Sequence, residues 1–370
     1  MNLLIIKGNL REGLGAVERA GGENSNLPIL RNVLVEADEN RIKLTATNLE
    51  IAISCFVPGK VLEPGKTTLP INLLSGLVGN LPSERLSLAS KGQNTLIQTD
   101  NYKATIQGIS AEEYPIVPQV KNRSEYFEIK ADALKEALGQ VLTSAQISDL
   151  RPELSSILWD FNLEHLKLVA TDSFRLSEKT IPPSLFQSTF KEAFRMLVPL
   201  RTGQELFRVL KDEETVRIYR DQNQAAFETD RLQLISRLVE GNFPDYSAIV
   251  PKKFQTEITL DRQELMNALK LAGVFSSRVN EVRIRIDEGK KTLEVFANEQ
   301  SLGENDYVLP ARIQGLPREV SFNWRYLLDG LKSLGSDEIY WGVNEENKAA
   351  LLKAPQDASY FYILMPILKA

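Results

Sequence analysis

Leu168-Val169-Ala170-Thr171-Asp172-Ser173-Phe174-Arg175-Leu176 runs as an apolar strand into a turn of small and polar residues, then out again. Weaker copies stand at Leu44-Thr45-Ala46-Thr47-Asn48-Leu49-Glu50 and at Val295-Phe296-Ala297-Asn298-Glu299. A proline follows each copy: Pro58, Pro182 and Pro310. The spacing is close to a third of the chain, too long a period for a solenoid repeat. The chain therefore reads as three copies of one unit, each expected to be a domain with its own core.

Composition bounds what those units do. A chain of 370 residues with 43% hydrophobic content has ample core for two or three soluble domains. The apolar runs from Met1 to Ile6 and from Tyr360 to Ile367 are too short to span a bilayer and read as strands. The first residues lack the pattern of a secretory signal, so a cytoplasmic location is expected. One cysteine, Cys55, and one histidine, His165, exclude an internal disulfide and thiolate or imidazole metal cages. Both read as packed residues, and neither a metal nor a cofactor is expected. The net charge is −5, with 13 basic against 12 acidic residues in 1–123, 16 against 20 in 124–252, and 15 against 17 in 253–370. Any basic surface must therefore be local and balanced by acid elsewhere.

Hydrophobic periodicity predicts the same element order three times. First helices are expected near 10–20, 132–143 and 262–274, second helices near 71–79, 202–210 and 324–334, with short strands between. Asn9 and Asp261 are placed as caps. The polar stretches 120–125 and 251–255 serve as linkers, giving boundaries at 1–123, 124–252 and 253–370. No regular strand-helix alternation appears. The fold class is α+β, with mainly antiparallel sheets carrying both helices of a repeat on one side.

Three patterns bear on function. Cations recur on polar helix faces: Arg201 with Arg208 and Arg325 with Lys332 seven apart, Arg11 with Arg19 and Arg262 with Lys270 eight apart. Spacing alone leaves two readings, a solvated face or a sparse cationic lining that holds phosphates without reading sequence. The glycines after the first strand, Gly8, Gly13 and Gly15, fit no nucleotide fingerprint: Leu14 stands where a Walker loop needs lysine, and Glu18 where a dinucleotide site needs glycine. No carboxylate pair or triad can be assembled. Finally, Thr171, Phe174, Leu176, the turn Phe243-Pro244-Asp245-Tyr246 and the tail Ile363-Leu364-Met365-Pro366-Ile367 offer loop-borne apolar groups. They suit a receptor for short peptides, although core strand ends explain them more simply.

At these residues the sequence resembles the bacterial DNA polymerase III beta subunits, the sliding clamps. The motifs fall in family order over essentially the whole chain: Asn26-Leu27-Pro28-Ile29-Leu30, Leu44 to Glu50, Ala170 to Leu176, Glu240-Gly241-Asn242-Phe243-Pro244-Asp245-Tyr246, Tyr326-Leu327-Leu328-Asp329 and Met365-Pro366-Ile367. The resemblance implies three clamp domains per chain. Two chains join head to tail into a ring-shaped homodimer, with helices lining the inside and antiparallel sheets outside.

The resemblance also implies positions. A partner-peptide pocket would take Leu154, Thr171, Ser173, Phe174, Arg175, Leu176, Pro244, Ile249, Tyr326, Ile363, Met365, Pro366 and Ile367. DNA would meet Arg151 and Arg201, alongside the helix-face cations Arg208, Arg11, Arg19, Arg262, Lys270, Arg325 and Lys332. Asn24 and Asn72 stand where some members have arginine. Ile106, Val274 and Phe275 match the family's apolar joint between chains. Ser173-Phe174 replaces the usual Gly-His, Ala248 replaces a frequent basic residue, and Leu368 replaces the basic residue after the last motif.

The function implied is a non-catalytic processivity factor, expected at the nucleoid. It would encircle double-stranded DNA without sequence preference and tether the replicative polymerase, with a clamp-loader ATPase opening the ring and other replication and repair proteins using the same pocket. Two rivals remain at this point: an enzyme with an unrecognised carboxylate site, and a repeat-built interaction scaffold that does not act on DNA.

Overall fold

The computed structural model describes residues 1–22, 26–39, 41–148, 150–287, 289 and 291–368. Asn24 lies outside them. The first repeat comprises β1 (Asn2–Ile6), α1 (Lys7–Val17), β2 (Asn32–Asp38), β3 (Arg41–Thr47), β4 (Ile51–Val57), β5 (Gly59–Glu63), β6 (Gly65–Pro70), α2 (Ile71–Asn80), β7 (Arg85–Lys91), β8 (Asn94–Gln98) and β9 (Lys103–Gln107). The second comprises β10 (Phe127–Lys130), α3 (Ala131–Val141), β11 (Ser156–Phe161), β12 (Leu166–Thr171), β13 (Arg175–Ile181), β14 (Phe186–Ser188), β15 (Phe194–Pro199), α4 (Leu200–Val209), β16 (Thr215–Arg220), β17 (Gln224–Glu228) and β18 (Leu232–Arg237). The third comprises β19 (Thr256–Asp261), α5 (Arg262–Val274), β20 (Glu281–Asp287), β21 (Thr292–Glu299), β22 (Gly303–Pro310), β23 (Arg312–Gly315), β24 (Arg318–Asn323), α6 (Trp324–Lys332), β25 (Glu338–Val343), β26 (Ala350–Lys353) and β27 (Tyr360–Leu364).

Each repeat splits its strands into a five-stranded and a four-stranded half, and neighbouring repeats share a sheet. One nine-stranded sheet runs β14-β10-β16-β17-β18-β4-β3-β2-β6, joining the second repeat's five to the first repeat's four. Another runs β15-β11-β12-β13-β27-β26-β25-β19-β23, joining the second repeat's four to the third's five. At these seams Leu234 lies opposite Ile53, and Leu176 opposite Ile363, in antiparallel register. What remains is a five-stranded sheet ending in β9 and a four-stranded sheet ending in β22.

The chain therefore divides into two compact units that cut through the second repeat: Met1–Asp132 with Phe186–Phe190 and Glu205–Leu238, and Ala133–Leu185 with Lys191–Gln204 and Val239–Ala370. Helices pack on the sheets through alternating apolar faces. In the second unit, Leu265, Leu269, Leu327 and Leu331 from α5 and α6 meet Ile284, Val295, Phe322 and Trp341 from the strands. Small residues set the close approaches. A Cβ at Gly273 would stand 2.7 Å from the Trp324 ring, and one at Gly330 would stand 2.6 Å from Tyr362.

Two expectations need correction. Asn9 does not cap α1, which starts two residues earlier with Ile6 as its N-cap and no side-chain cap; the Asn9 amide instead donates to the Pro58 carbonyl at 3.2 Å. Asp261 does cap α5, accepting from the Glu264 amide at 2.7 Å. The periodicity reading also passed over β5, β6, β14, β15 and β22 to β24.

Candidate functional site

The turn after β12 is built by its own side chains. Thr171 Oγ1 donates to the Arg175 carbonyl at 2.7 Å and accepts from the Ser173 amide at 3.1 Å. Asp172 Oδ1 accepts from the amides of Phe174 and Arg175 at 2.9 and 3.0 Å. The first repeat makes the same turn. Thr47 Oγ1 bonds the Ile51 carbonyl and the Leu49 amide, and Asn48 Oδ1 accepts from Glu50 and Ile51. Both turns hold a non-glycine residue in the left-handed region, Ser173 at φ 77° and Leu49 at φ 76°, a conformation that costs an L residue about 1–2 kcal/mol. The side-chain bonds offset that cost and fix Phe174 as a protruding aromatic, 60% exposed.

In the second repeat a cation is added to this turn. Arg175 Nε bonds Asp172 Oδ2 at 2.9 Å, and Nη1 bonds Asp329 Oδ2 at 2.8 Å. Its guanidinium lies 4.2 Å from the Tyr326 ring centroid. Burial works against the Arg175 charge, but Tyr362, Asp329 and Asp172 outweigh it and raise the pKa above that of a free guanidinium. Burial likewise drives the Tyr362 phenol up, with Arg175 opposing. Arg175 is thus committed to holding β13 and α6 together.

The candidate peptide residues converge within the second unit. Leu176 and Ile363 are nearly covered and belong to one apolar cluster; Leu154 and Thr171 are also buried. The Met365 amide donates to the Phe174 carbonyl at 2.8 Å, tying the tail to the turn, and the Ile367 amide donates to Ser321. Met365, Phe243 and Tyr246 pack on the cluster containing Leu176 and Ile363. Tyr246 donates to Glu178 at 2.6 Å, which anchors the turn bearing half-buried Pro244. Ile249 is half exposed at the edge. Arg151, exposed, also sits on this rim, its guanidinium bonding Glu153 at 3.1 Å and Ser173 Oγ at 3.3 Å.

The helix-face cations separate into two groups. Arg11, Arg19, Arg201, Lys270, Arg325 and Lys332 are exposed, as is Asn72. Arg208 is spent inside the protein: Nη1 and Nη2 donate to the carbonyls of Gly15 and Ala16 at 2.6 and 3.1 Å, and Nε is held by Glu205. It satisfies the open carbonyls at the end of α1, so the expectation that it meets DNA is corrected. Arg262 is half-buried, with Nη1 3.4 Å from the Leu331 carbonyl in the last turn of α6.

Of the joint residues, Val274 is 66% exposed, while Phe275 packs partly on the core and Ile106 turns inward at 4% exposure. Ile106 does lie on an edge strand, but its outward neighbours are Lys103, Thr105 and Gln107. Cys55 is covered, and burial pushes its thiol up, with nearby Arg231 working against it. Among the described residues no cluster suits a metal ion, and no helix is long and apolar enough to cross a membrane.

Comparison with known families matches residues 1–118, 128–245 and 247–368 to the N-terminal, central and C-terminal domains of the DNA polymerase III beta subunit. The chain belongs to the DNA polymerase III beta subunit family. The beta sliding clamp of Synechococcus elongatus is 29% identical over 99% of both chains, and that of Bacillus subtilis is 25% identical over the same shares. Among solved structures, the Bacillus subtilis DNA polymerase sliding clamp superposes with a TM-score of 0.93 at 25% identity over all of both chains. The Pseudomonas aeruginosa sliding clamp bound to griselimycin does so with the same score, identity and coverage. This member of the family is a DNA sliding clamp of three repeated domains, a non-catalytic accessory subunit in DNA replication. That removes both rivals, the enzyme and the scaffold not acting on DNA.

Proposed function

We propose that two copies of this chain close head to tail into a ring around duplex DNA, and that the groove at Phe174, Ile249 and Met365 receives the peptides of polymerase, loader and repair partners. One observation carries the ring: every repeat offers five strands and four, two seams join five to four, and one five and one four stay open at β9 and β22. Pairing β9 of one copy with β22 of the next repeats the seam and makes a third kind of nine-stranded sheet, with no unpaired joint left in a closed assembly.

The seam rule also supplies a register. The turn in which the Thr99 amide bonds Tyr102 matches that of Thr229 with Leu232, so Ala104 takes the place of Leu234. Ala297, inward-facing and opposite Asn305, takes the place of Ala46, which lies opposite Ile53. Because Leu234 pairs with Ile53, Ala104 is expected opposite Asn305 of the neighbouring copy. Lys103 then falls opposite Asp306, and both are exposed in the single chain.

The domain limits we adopt are 1–123, 124–252 and 253–370. Arg11, Arg19, Arg201, Lys270, Arg325 and Lys332 would supply loose phosphate contacts. Such contacts exchange without a sequence-dependent barrier and let a threaded ring slide, while the groove raises the local concentration of a tethered polymerase. Work at the nucleoid follows from that role. The test is retention on nicked circular DNA after loading by a clamp-loader ATPase, followed by linearisation. Loss on linearisation is expected, and equal retention on both forms rejects enclosure. Independently, a K103E chain should fail to dimerise and regain dimerisation with D306K.

A further inference from the structure

A cleft of 590 Å³ opens where α1, β3 and β4 of the first repeat meet the loop after α4 and the β17–β18 turn of the second. Its apolar lining includes Cys55, Val57 and Pro58, and its charges are Arg41, Lys211 and Arg231 against Glu12 and Asp230. The walls are held in shape. The Asn9 amide donates to the Pro58 carbonyl at 3.2 Å, while Arg231 bonds Glu214, the Val209 carbonyl and the Cys55 sulfur at 3.1, 2.9 and 3.7 Å. Lys211 meets Glu12 at 2.6 Å. Arg41 lies 5.7 Å from the Phe56 ring centroid, and no carboxylate holds it among the described residues.

The second repeat shows what such a space accepts. Counting from the matched turns, Cys55 corresponds to Lys179 and Pro58 to Pro182; counting along α1 and α3, Glu12 corresponds to Glu136. Lys179 is buried and its ammonium reaches Glu136 at 2.8 Å, so an unbranched side chain occupies the position there. Cys55 stops one atom past Cβ and leaves the space open. The head-group chemistry is also reversed. Lys211 already meets Glu12 and Arg231 stands at the thiol, so two cations keep spare N–H donors where the second repeat offers a carboxylate to its lysine. We infer that this cleft binds a small organic acid, its unbranched apolar body along Cys55 and Val57 and its carboxylate on Lys211 and Arg231. Arg41 adds to the attraction, and the exposed Asp230 opposes it. The volume suits a ligand of that class.

The experiment uses the full chain and three probes of one length, hexanoate, hexanol and hexylamine, titrated by ligand-observed NMR at low and moderate salt. Hexanoate should bind roughly five- to tenfold more tightly than hexanol, with hexylamine weakest, and the advantage of the acid should shrink as salt rises. C55M extends an unbranched side chain into the space that Lys179 fills in the second repeat, and should weaken all three probes roughly tenfold. K211Q frees Glu12 to meet an ammonium as Glu136 meets Lys179, and should invert the order so that hexylamine binds best. I249D, in the peptide groove, should change nothing. Should C55M fail to fold, K211Q, at an exposed position, decides the matter. Hexanol or hexylamine binding the unaltered chain as tightly as hexanoate overturns the assignment, as does an order unchanged in K211Q. Hexanoate binding lost on I249D places the acid in the groove and rejects this site, and no binding by any probe rejects it outright. Displacement of hexanoate by an equal concentration of the blocked tripeptide acetyl-Leu-Glu-Leu-amide would make the occupant a partner's glutamate and overturn the small molecule.

Discussion

Replacing Asp172 by alanine isolates what the charged turn contributes. The Asp172 side chain is 2% exposed and accepts three hydrogen bonds, from the amides of Phe174 and Arg175 and from Arg175 Nε. In D172A the exposed Phe174 amide regains water, while the half-buried Arg175 amide and Nε lose a charged acceptor. At about 1.5–3 kcal/mol for each such bond, and with Asp329 still holding Nη1, a loss of about 3 kcal/mol is expected. D172N keeps the Oδ1 acceptor for both amides but replaces Oδ2 with an NH2 group that cannot accept from Arg175 Nε, so about 2 kcal/mol is expected. The first repeat supplies an internal control, because Asn48 makes the same amide bonds with no cation attached; N48A should cost about 1 kcal/mol. Calorimetry of the purified chain reads these as shifts of about 2–4 °C per kcal/mol in the transition carrying the mutated unit. The variants should rank D172A least stable, D172N next and N48A closest to the unaltered chain. If D172A and N48A destabilise equally, the ion pair adds nothing to the turn and the account of Arg175 is wrong.

Arg208 and Arg201 should part company. R208A is expected to cost about 2 kcal/mol in denaturant unfolding by stripping the end of α1 of its donors, whereas R201A should fold normally and lower the salt slope of DNA binding by about one. Adding a methyl at Gly330 drives it against Tyr362, and G330A should lose about 1–3 kcal/mol, measured by urea titration. Burial pushes the Tyr360 phenol up to about 12 from 10, so its neutral form is favoured by folding. Its contribution is complete below pH 10 and disappears as pH rises from 10 to about 12; tyrosinate absorbance should then appear together with unfolding, and Y360F should blunt that alkaline step.

Helices were legible because Leu265, Leu269 and Ala272 recur at helical spacing, as do their counterparts in the other repeats. The missed strands carried little alternation. In β6, Thr67 and Thr68 are buried side by side, satisfied by Thr95, Asn32 and the Ile109 carbonyl; in β22 most side chains are exposed or half-exposed on an open edge. Pairing across repeats was invisible, since Leu234 opposite Ile53 leaves no mark in the periodicity of either strand. Family resemblance named the candidate groove residues. It did not reveal that Arg175 is locked between two aspartates, that Arg151 turns to the groove rim, or that Arg208 is consumed by a helix end, because each depends on groups distant in sequence.

The shared sheets bear on what can be cut out of this protein. A middle repeat expressed alone would carry β13 and β18 bare, one stripped of its mate on either flank, and those two strands are the complementary halves of one joint. Such a fragment should not behave as a soluble module: copy would add to copy with nothing to stop the series, and the expected product is a filament whose growth is halted by supplying the excised neighbours in trans.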